Sequence, residues 1–261
     1  MEGPTMADKK FPVVILAGGP TPDKILETGE SEKERAFIDI NGKPMLQWVF
    51  DALNSSGICS EFVCIGNAPR LREVFKLSES QVIPQGSSML ENFIAGMERY
   101  KISPLVMEMT CDIPLLTPES LRHLVDEAGK IEADIYYPII DVKHFDEKFA
   151  GGKRTTQILK EGTFTGGNVF ILNPKSVLAN RSIIEEVIRS RKSPAKLVKL
   201  FGLPFILKFA FKQLDLKGLE SKASSLMGAK MRAIITPYPE IGFDVDKPSD
   251  LAIARSIFAR A

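Results

Sequence analysis

Val13-Val14-Ile15-Leu16-Ala17-Gly18-Gly19 is a continuous apolar, β-branched run that ends in two glycines. A run of this kind is the form of a central strand in a parallel sheet, covered on both faces. The glycines that follow either make a tight loop with no ligand or let backbone N–H groups approach a phosphate closely. Far downstream, Thr110-Cys111-Asp112-Ile113-Pro114-Leu115 follows a second apolar strand, Pro104 to Met109, and puts one carboxylate at its end. Ligands of such sheets bind at the C-terminal ends of the strands. A carboxylate there is costly unless it is solvated, paired or metal-bound.

Working outward from these two strands, the chain alternates strand and helix. Phe37 to Ile40 and the turn Asn41-Gly42-Lys43-Pro44 lead into a helix from Met45 to Leu53, where Met45, Leu46, Val49, Phe50 and Leu53 recur at helical spacing. Glu61 to Gly66 is another glycine-closed strand, Leu71 to Phe75 a short helix, and Gln81 to Pro84 a strand. Met89 to Tyr100 is an amphipathic helix with Ser87 or Ser88 as its N-cap, and Thr117-Pro118-Glu119-Ser120 starts another. Gly18 to Arg35 shows neither period and reads as a long loop. Beyond Ala133, the strands Ile135 to Ile140, Gln157 to Lys160 and Asn168 to Leu172 are separated by polar, glycine-rich loops, as in a mixed sheet. Arg232 to Thr236 is a last strand and Pro248 to Ala261 a closing helix. The expected fold is α/β: a Rossmann-like three-layer α/β/α sandwich with a mixed, mostly parallel sheet. It forms a single domain, 1–261, with a helical, basic insertion at about 176–230.

Composition narrows the partners. The formal charge is +1, from 34 basic and 33 acidic residues, too balanced for a chain whose main partner is a nucleic-acid backbone. Cys59, Cys64 and Cys111 have neither zinc-site spacing nor disulfide density and read as buried thiols in a reducing cytoplasm. No apolar stretch approaches the ~20 residues of a transmembrane helix, and Met1 to Lys10 has no apolar signal-peptide core. A cytoplasmic monomer or homodimer is expected. From Val187 to Lys217, however, Arg189, Arg191, Lys192, Lys196, Lys199, Lys208, Lys212 and Lys217 face the single acid Asp215 and are interleaved with phenylalanine and leucine. This stretch is either a helical cover with solvated lysines or a basic amphipathic surface for peripheral contact with an anionic membrane, a long-chain acceptor or a second subunit.

Neither the dinucleotide fingerprint G-x-G-x-x-G nor the Walker lysine motif follows the first strand. Instead Lys24, Lys33 and Arg35 lie on the loop, and Lys43 lies in the turn after it. Cations beside a triphosphate neutralise the charge that builds when the bond between α- and β-phosphates breaks.

With these residues in place, the chain resembles the nucleotidyltransferase family that includes the MobA-like molybdenum cofactor guanylyltransferases and the sugar-1-phosphate nucleotidyltransferases. The resemblance is carried by Leu16-Ala17-Gly18-Gly19, Gly42-Lys43-Pro44-Met45, Asp112-Ile113-Pro114-Leu115 and Asp244-Val245-Asp246-Lys247-Pro248-Ser249-Asp250-Leu251. It spans the chain apart from the stretch around 176–230 and implies the nucleotide-diphospho-sugar transferase type of fold. It departs from the family in the loop, which is longer here and carries Arg35 where the family has a lysine. Arginine is an adequate phosphate clamp, and Lys24 or Lys33 could supply the missing cation.

The resemblance implies a Mg²⁺- or Mn²⁺-dependent enzyme that transfers NMP from an NTP, with GTP or CTP favoured, to a phosphorylated small-molecule acceptor. Leu16, Ala17, Gly18 and Gly19 would hold the phosphates, Arg35 with Lys24 and Lys43 would neutralise the leaving pyrophosphate, and Asp112 with Asp244 would hold the metal. Asp246 is instead a candidate cap for the last helix. Gln85-Gly86-Ser87-Ser88 is either the turn that reads the base or a plain capped helix start. Gly167 and Asn168 are either acceptor contacts or a β-bulge; Arg154 is an acceptor-phosphate ligand or a solvated loop charge. Two rival readings stand beside this one: a metal-dependent glycosyltransferase that uses Asp244-Val245-Asp246, and a non-catalytic nucleotide-binding regulatory module of the same fold.

Overall fold

The computed structural model describes residues 10–152, 154–190, 198 and 200–260. In chain order the strands are β1 (Phe11–Leu16), β2 (Asp39–Ile40), β3 (Lys43–Pro44), β4 (Cys59–Gly66), β5 (Val82–Pro84), β6 (Val106–Thr110), β7 (Ile135–Asp141), β8 (Gln157–Leu159), β9 (Gly162–Gly166), β10 (Val169–Leu172) and β11 (Met231–Thr236). β2 and β3 form a small hairpin through Asn41-Gly42, and the remaining strands form one sheet. β5, β4, β1 and β6 are parallel neighbours. β10 lies antiparallel between β6 and β7, and β11 runs parallel to β7 on its far side. The sheet is thus mixed and mostly parallel, as the sequence predicts.

The helices are α1 (Asp23–Leu26), α2 (Met45–Ser56), α3 (Ala68–Phe75), α4 (Met89–Arg99), α5 (Pro118–Gly129), α6 (Val142–Lys148), α7 (Pro174–Ala179), α8 (Arg181–Ser190), α9 (Leu203–Ala210), α10 (Leu216–Met227) and α11 (Pro248–Phe258). Alternation along β1 sets the layers. Val13 and Ile15 pack with Leu46, Val49 and Leu53 of α2 and Leu121 and Leu124 of α5. Val14 and Leu16 face the other way, onto Met97 of α4, Val177 of α7 and Ile184 of α8. Each fully buried Val, Leu or Ile contributes about 1.5–3 kcal/mol, so a sheet covered on both faces holds the strand ends rigidly in place.

The chain runs antiparallel along one edge of β7, first as β9 against Ile139–Asp141 and then as β10 against Ile135–Tyr136. It jogs between them at Gly167-Asn168. A Cβ on Gly167 would lie 2.6 Å from Ile241 Cγ2 and 2.9 Å from Pro138 Cγ, so close approach is what selects glycine there.

Two stretches depart from expectation. The segment expected to be an open loop contains α1, whose Ile25 is fully buried with Ile38, Phe243 and Val245. Four residues with one buried side chain are too few to show a helical period. α6 likewise forms where the sequence suggests only loop. In the helical stretch, Arg191, Lys192, Lys196 and Lys199 lie outside the described residues. No described residue of α9 is buried, and Leu203, Leu207 and Phe209 are exposed, while Phe205 packs beside Leu216 and Leu219 against Ile139 and Phe164. Among the described residues, no helix is long and apolar enough to cross a membrane.

Candidate active site

β1 and β6 end side by side, with Leu16 opposite Thr110. The loop after β1 is tied at both ends: Thr21 N donates to Lys33 O at 2.9 Å, Arg35 N to Gly19 O at 3.4 Å, and Pro20 bridges Glu34. Gly19 sits at φ 110°, a conformation that L side chains rarely adopt. This folded-back ribbon carries Lys24 and Arg35 over the strand ends. Gly18, Gly19, Lys24, Arg35, Asp112 and Asp246 line one cleft of 710 Å³.

Asp112 is 5% exposed, and its Oδ1 is buried without a hydrogen-bond partner. Arg35 contacts its other oxygen and lies 3.2 Å from Asp246 Oδ1. Burial works against the Arg35 charge, but Asp112 and Asp246 outweigh it and hold the guanidinium protonated. Val245 N donates to Asp112 O at 2.8 Å. That bond brings the segment after β11 against the end of β6 and sets Asp244 and Asp246 around Asp112.

Asp244 is paired with Arg154 at 2.9 Å. Its carboxyl is nevertheless pushed up to about 7: burial is the largest cause, Arg154 opposes it, and a hydrogen bond with Asp246 and the charges of Asp112 and Asp246 add to it. Fully buried Asp250 accepts from Asp246 N at 3.2 Å and faces Arg154 at 3.6 Å. Lys247, not Asp246, holds the N-cap position of α11, which leaves the Asp246 side chain to the cleft. Among the described residues, no three acidic, histidine or cysteine side chains converge as a preformed cation cage.

The other predicted residues are distributed around this cleft. Lys43 pairs with Asp51 at 2.9 Å and lies 4.3 Å from the centre of the Trp48 ring, outside the cleft lining. The Gln85 side chain lies against Gly18. The amides of the following turn are already engaged: Gly86 N donates to Asn92 Oδ1 and Ser87 N to Glu91 Oε2, each at 2.7 Å. Ser88 is the N-cap of α4. Arg154 is not a solvated loop charge; its side chain is 9% exposed and its Nη2 donates to Asp244 O at 2.7 Å. Gly167 N donates to Pro138 O, and Asn168 N to Ile241 O, so this pair forms the jog beside β7.

Three site residues are not picked out by the sequence reading. Thr21 is 1% exposed with an unpartnered hydroxyl, and Asn92 lines the cleft while it holds Gly86. Glu108 sits in mid-strand on β6. Its signal was available as the one acid in the apolar run Val106-Met107-Glu108-Met109.

A glycine loop and a basic ribbon thus face Asp112 and Asp246 across one cleft, on a mostly parallel sheet. The model of the MobA-like NTP transferase domain matches residues 13–208, and the chain belongs to that family. It is 30% identical over 112 residues, 42% of this chain and 49% of the relative, to a probable molybdenum cofactor guanylyltransferase of Trichormus variabilis. A 2-C-methyl-D-erythritol 4-phosphate cytidylyltransferase of Halalkalibacterium halodurans is 23% identical over 133 residues, 48% of this chain and 56% of the relative. The chain thus spans about half the length of these curated relatives. A hypothetical transferase structure from Thermus thermophilus superposes with a TM-score of 0.82 at 33% identity, covering 93% of this chain and 99% of that one.

Proposed function

We propose that the chain transfers a nucleoside monophosphate from an NTP to a phosphorylated small-molecule acceptor. The observation that carries this reading is the single cleft in which the Gly18-Gly19 loop, Lys24 and Arg35 face Asp112 and Asp246. An acceptor phosphate oxygen forms a bond to the α-phosphorus, the bond from that phosphorus to the bridging oxygen breaks, and pyrophosphate leaves. The acceptor is already an anion, so no general base is needed. Ala17 N is committed to Ile65 O at 2.8 Å and Leu16 lies within β1, so the backbone N–H groups of Gly18 and Gly19 hold the phosphates, and Arg35 and Lys24 neutralise the leaving group. The names of the curated relatives favour GTP or CTP. Gln85 to Ser88 lie at the base end and Asn168 at the acceptor end. Arg154 acts in this reading by positioning Asp244 rather than by binding the acceptor.

The residues fit a magnesium ion. Asp112 has one oxygen buried without a partner, and Asp244 supplies a second carboxylate of the hard-donor type that magnesium takes. Asp112 and Asp244 would hold it, and when bound it supplies charge neutralisation at the reacting phosphate.

The first test is a thermal-shift series with the four NTPs and Mg²⁺, in which a ligand at about 100 times its Kd adds roughly 2.7 kcal/mol. The second is pyrophosphate release from the stabilising NTP across phosphorylated acceptors, which chelation and Asp112→Asn abolish. Turnover of a nucleotide sugar with no pyrophosphate would overturn the reading in favour of glycosyl transfer.

A further inference from the structure

Beneath the cleft, on the sheet face covered by α4, α7, α8 and α10, lies a cavity of 340 Å³. Met89, Phe93, Phe170, Leu172, Ile184 and Met227 contribute an apolar wall. Well-packed interiors leave few voids larger than a water molecule, and apolar voids of this size take apolar ligands. Leu16, Met89 and Thr110 line both this cavity and the phosphate cleft, and Asn168, just before the Val169 that pairs with Met109, also lines the cavity. The cavity therefore adjoins the place where the acceptor sits in the reading above.

Besides Asn168, Glu108 and Thr110 break the apolar wall, and both of these come from β6. Glu108 is 4% exposed, stands in register between Val14 of β1 and Phe170 of β10, and is the only ionisable residue in the lining among the described residues. Burial alone pushes its carboxyl up to about 8, so near neutral pH it carries a proton to donate. Two residues on, and on the same face, Thr110 Oγ1 is buried with no partner. An acid in the middle of a central strand is costly if it packs only against hydrocarbon. A mostly apolar pocket with a few convergent polar groups is the form of a ligand site.

We infer that this cavity is the acceptor's hydrocarbon subsite: the acceptor is a phosphorylated amphiphile whose apolar body enters between the sheet and α4, with a hydroxyl or carbonyl oxygen meeting Glu108 and Thr110. The inference deepens the nucleotidyl-transfer reading and rests on it for the phosphate end.

The test uses the intact chain and the fluorescent apolar probe N-phenyl-1-naphthylamine. Saturable one-site binding is expected, with displacement by 1-decanol and by decyl phosphate but not by inorganic phosphate. Val177→Phe, which fills the cavity from α7, weakens probe and decanol by about tenfold or more while stabilisation by NTP and Mg²⁺ is unchanged. Glu108→Leu keeps the probe and loses about tenfold in decanol affinity, the scale of one lost buried hydrogen bond; it decides the matter alone should Val177→Phe not fold. No saturable probe binding, or a folded Val177→Phe that binds like the parent, overturns the inference. Probe binding without any NTP stabilisation leaves the subsite standing and removes the nucleotidyl-transfer reading instead.

Discussion

Arg154 grips Asp244 twice, with Nη1 2.9 Å from the carboxylate and Nη2 donating at 2.7 Å to the same residue's carbonyl. The guanidinium also lies 4.8 Å from the Phe243 ring centre, so the contact is largely shielded from water. Arg154→Met would leave Asp244 buried without its cation, while Asp250 keeps Lys247 at 3.7 Å. We expect a loss of about 3–5 kcal/mol in urea unfolding, the scale for breaking a buried pair on one side. Arg154→Lys keeps the charge without the fork, and should lower kcat more than it raises KM.

Arg35 and Lys43 are both basic residues of the family-like motifs, yet only Arg35 faces the cleft. Arg35→Ala should reduce kcat about 10²–10³-fold, as loss of a preorganised charge at a transition state does. Lys43→Ala should leave turnover within about threefold and cost under about 1 kcal/mol, since its partner Asp51 is well exposed. Paired pyrophosphate-release assays and melts check both.

Asp244 sets a pH dependence. Its folded value near 7 means that the carboxylate to which the proposed reading gives a cation is protonated as pH falls through that value. Mg²⁺-dependent NTP binding should weaken from pH 8 to pH 6, and Asp244→Asn should bind weakly and flatly across that range. Isothermal titration at a series of pH values reads the difference.

Glu108 sets a second one, in stability. A carboxyl raised from 4.5 to about 8 in the folded chain stabilises it relative to the unfolded chain below the unfolded value, and that contribution is lost as pH rises through about 8. Leu16, Phe170, Ile184 and Met227, from the elements packed around it, carry no titratable group. The urea midpoint should fall between pH 5 and pH 9, and Glu108→Gln should flatten that part of the profile.

Those predictions mark where sequence reading succeeds. The core strands were legible because a buried parallel strand must be apolar throughout, as Val13 to Leu16 are, and Asp112 because a carboxylate at such a strand's end needs a reason. Arg154 was not legible as a buried residue, since nothing local to Gly151-Gly152-Lys153-Arg154 records that Asp244 and two phenylalanine rings will surround it. α1 escaped because one buried isoleucine makes no period. Glu108 was visible but anomalous, and its meaning depends on a cavity that four distant helices build. Local chemistry is written in the order of residues, whereas enclosure depends on what folds back upon it.

The hydrogen bond from Val245 to Asp112 has a consequence for how the enzyme comes into being. A ribosome that has made the phosphate loop, the basic ribbon and β6 has made a cleft that holds Asp112 without the segment that clasps it. Asp244 and Asp246 arrive only after β11, with the segment whose Val245 N meets Asp112 O and which leads into α11. Termination just before them should therefore yield a chain with most of its sheet and an unclasped cleft, so that the site depends on two parts of the chain made far apart in time.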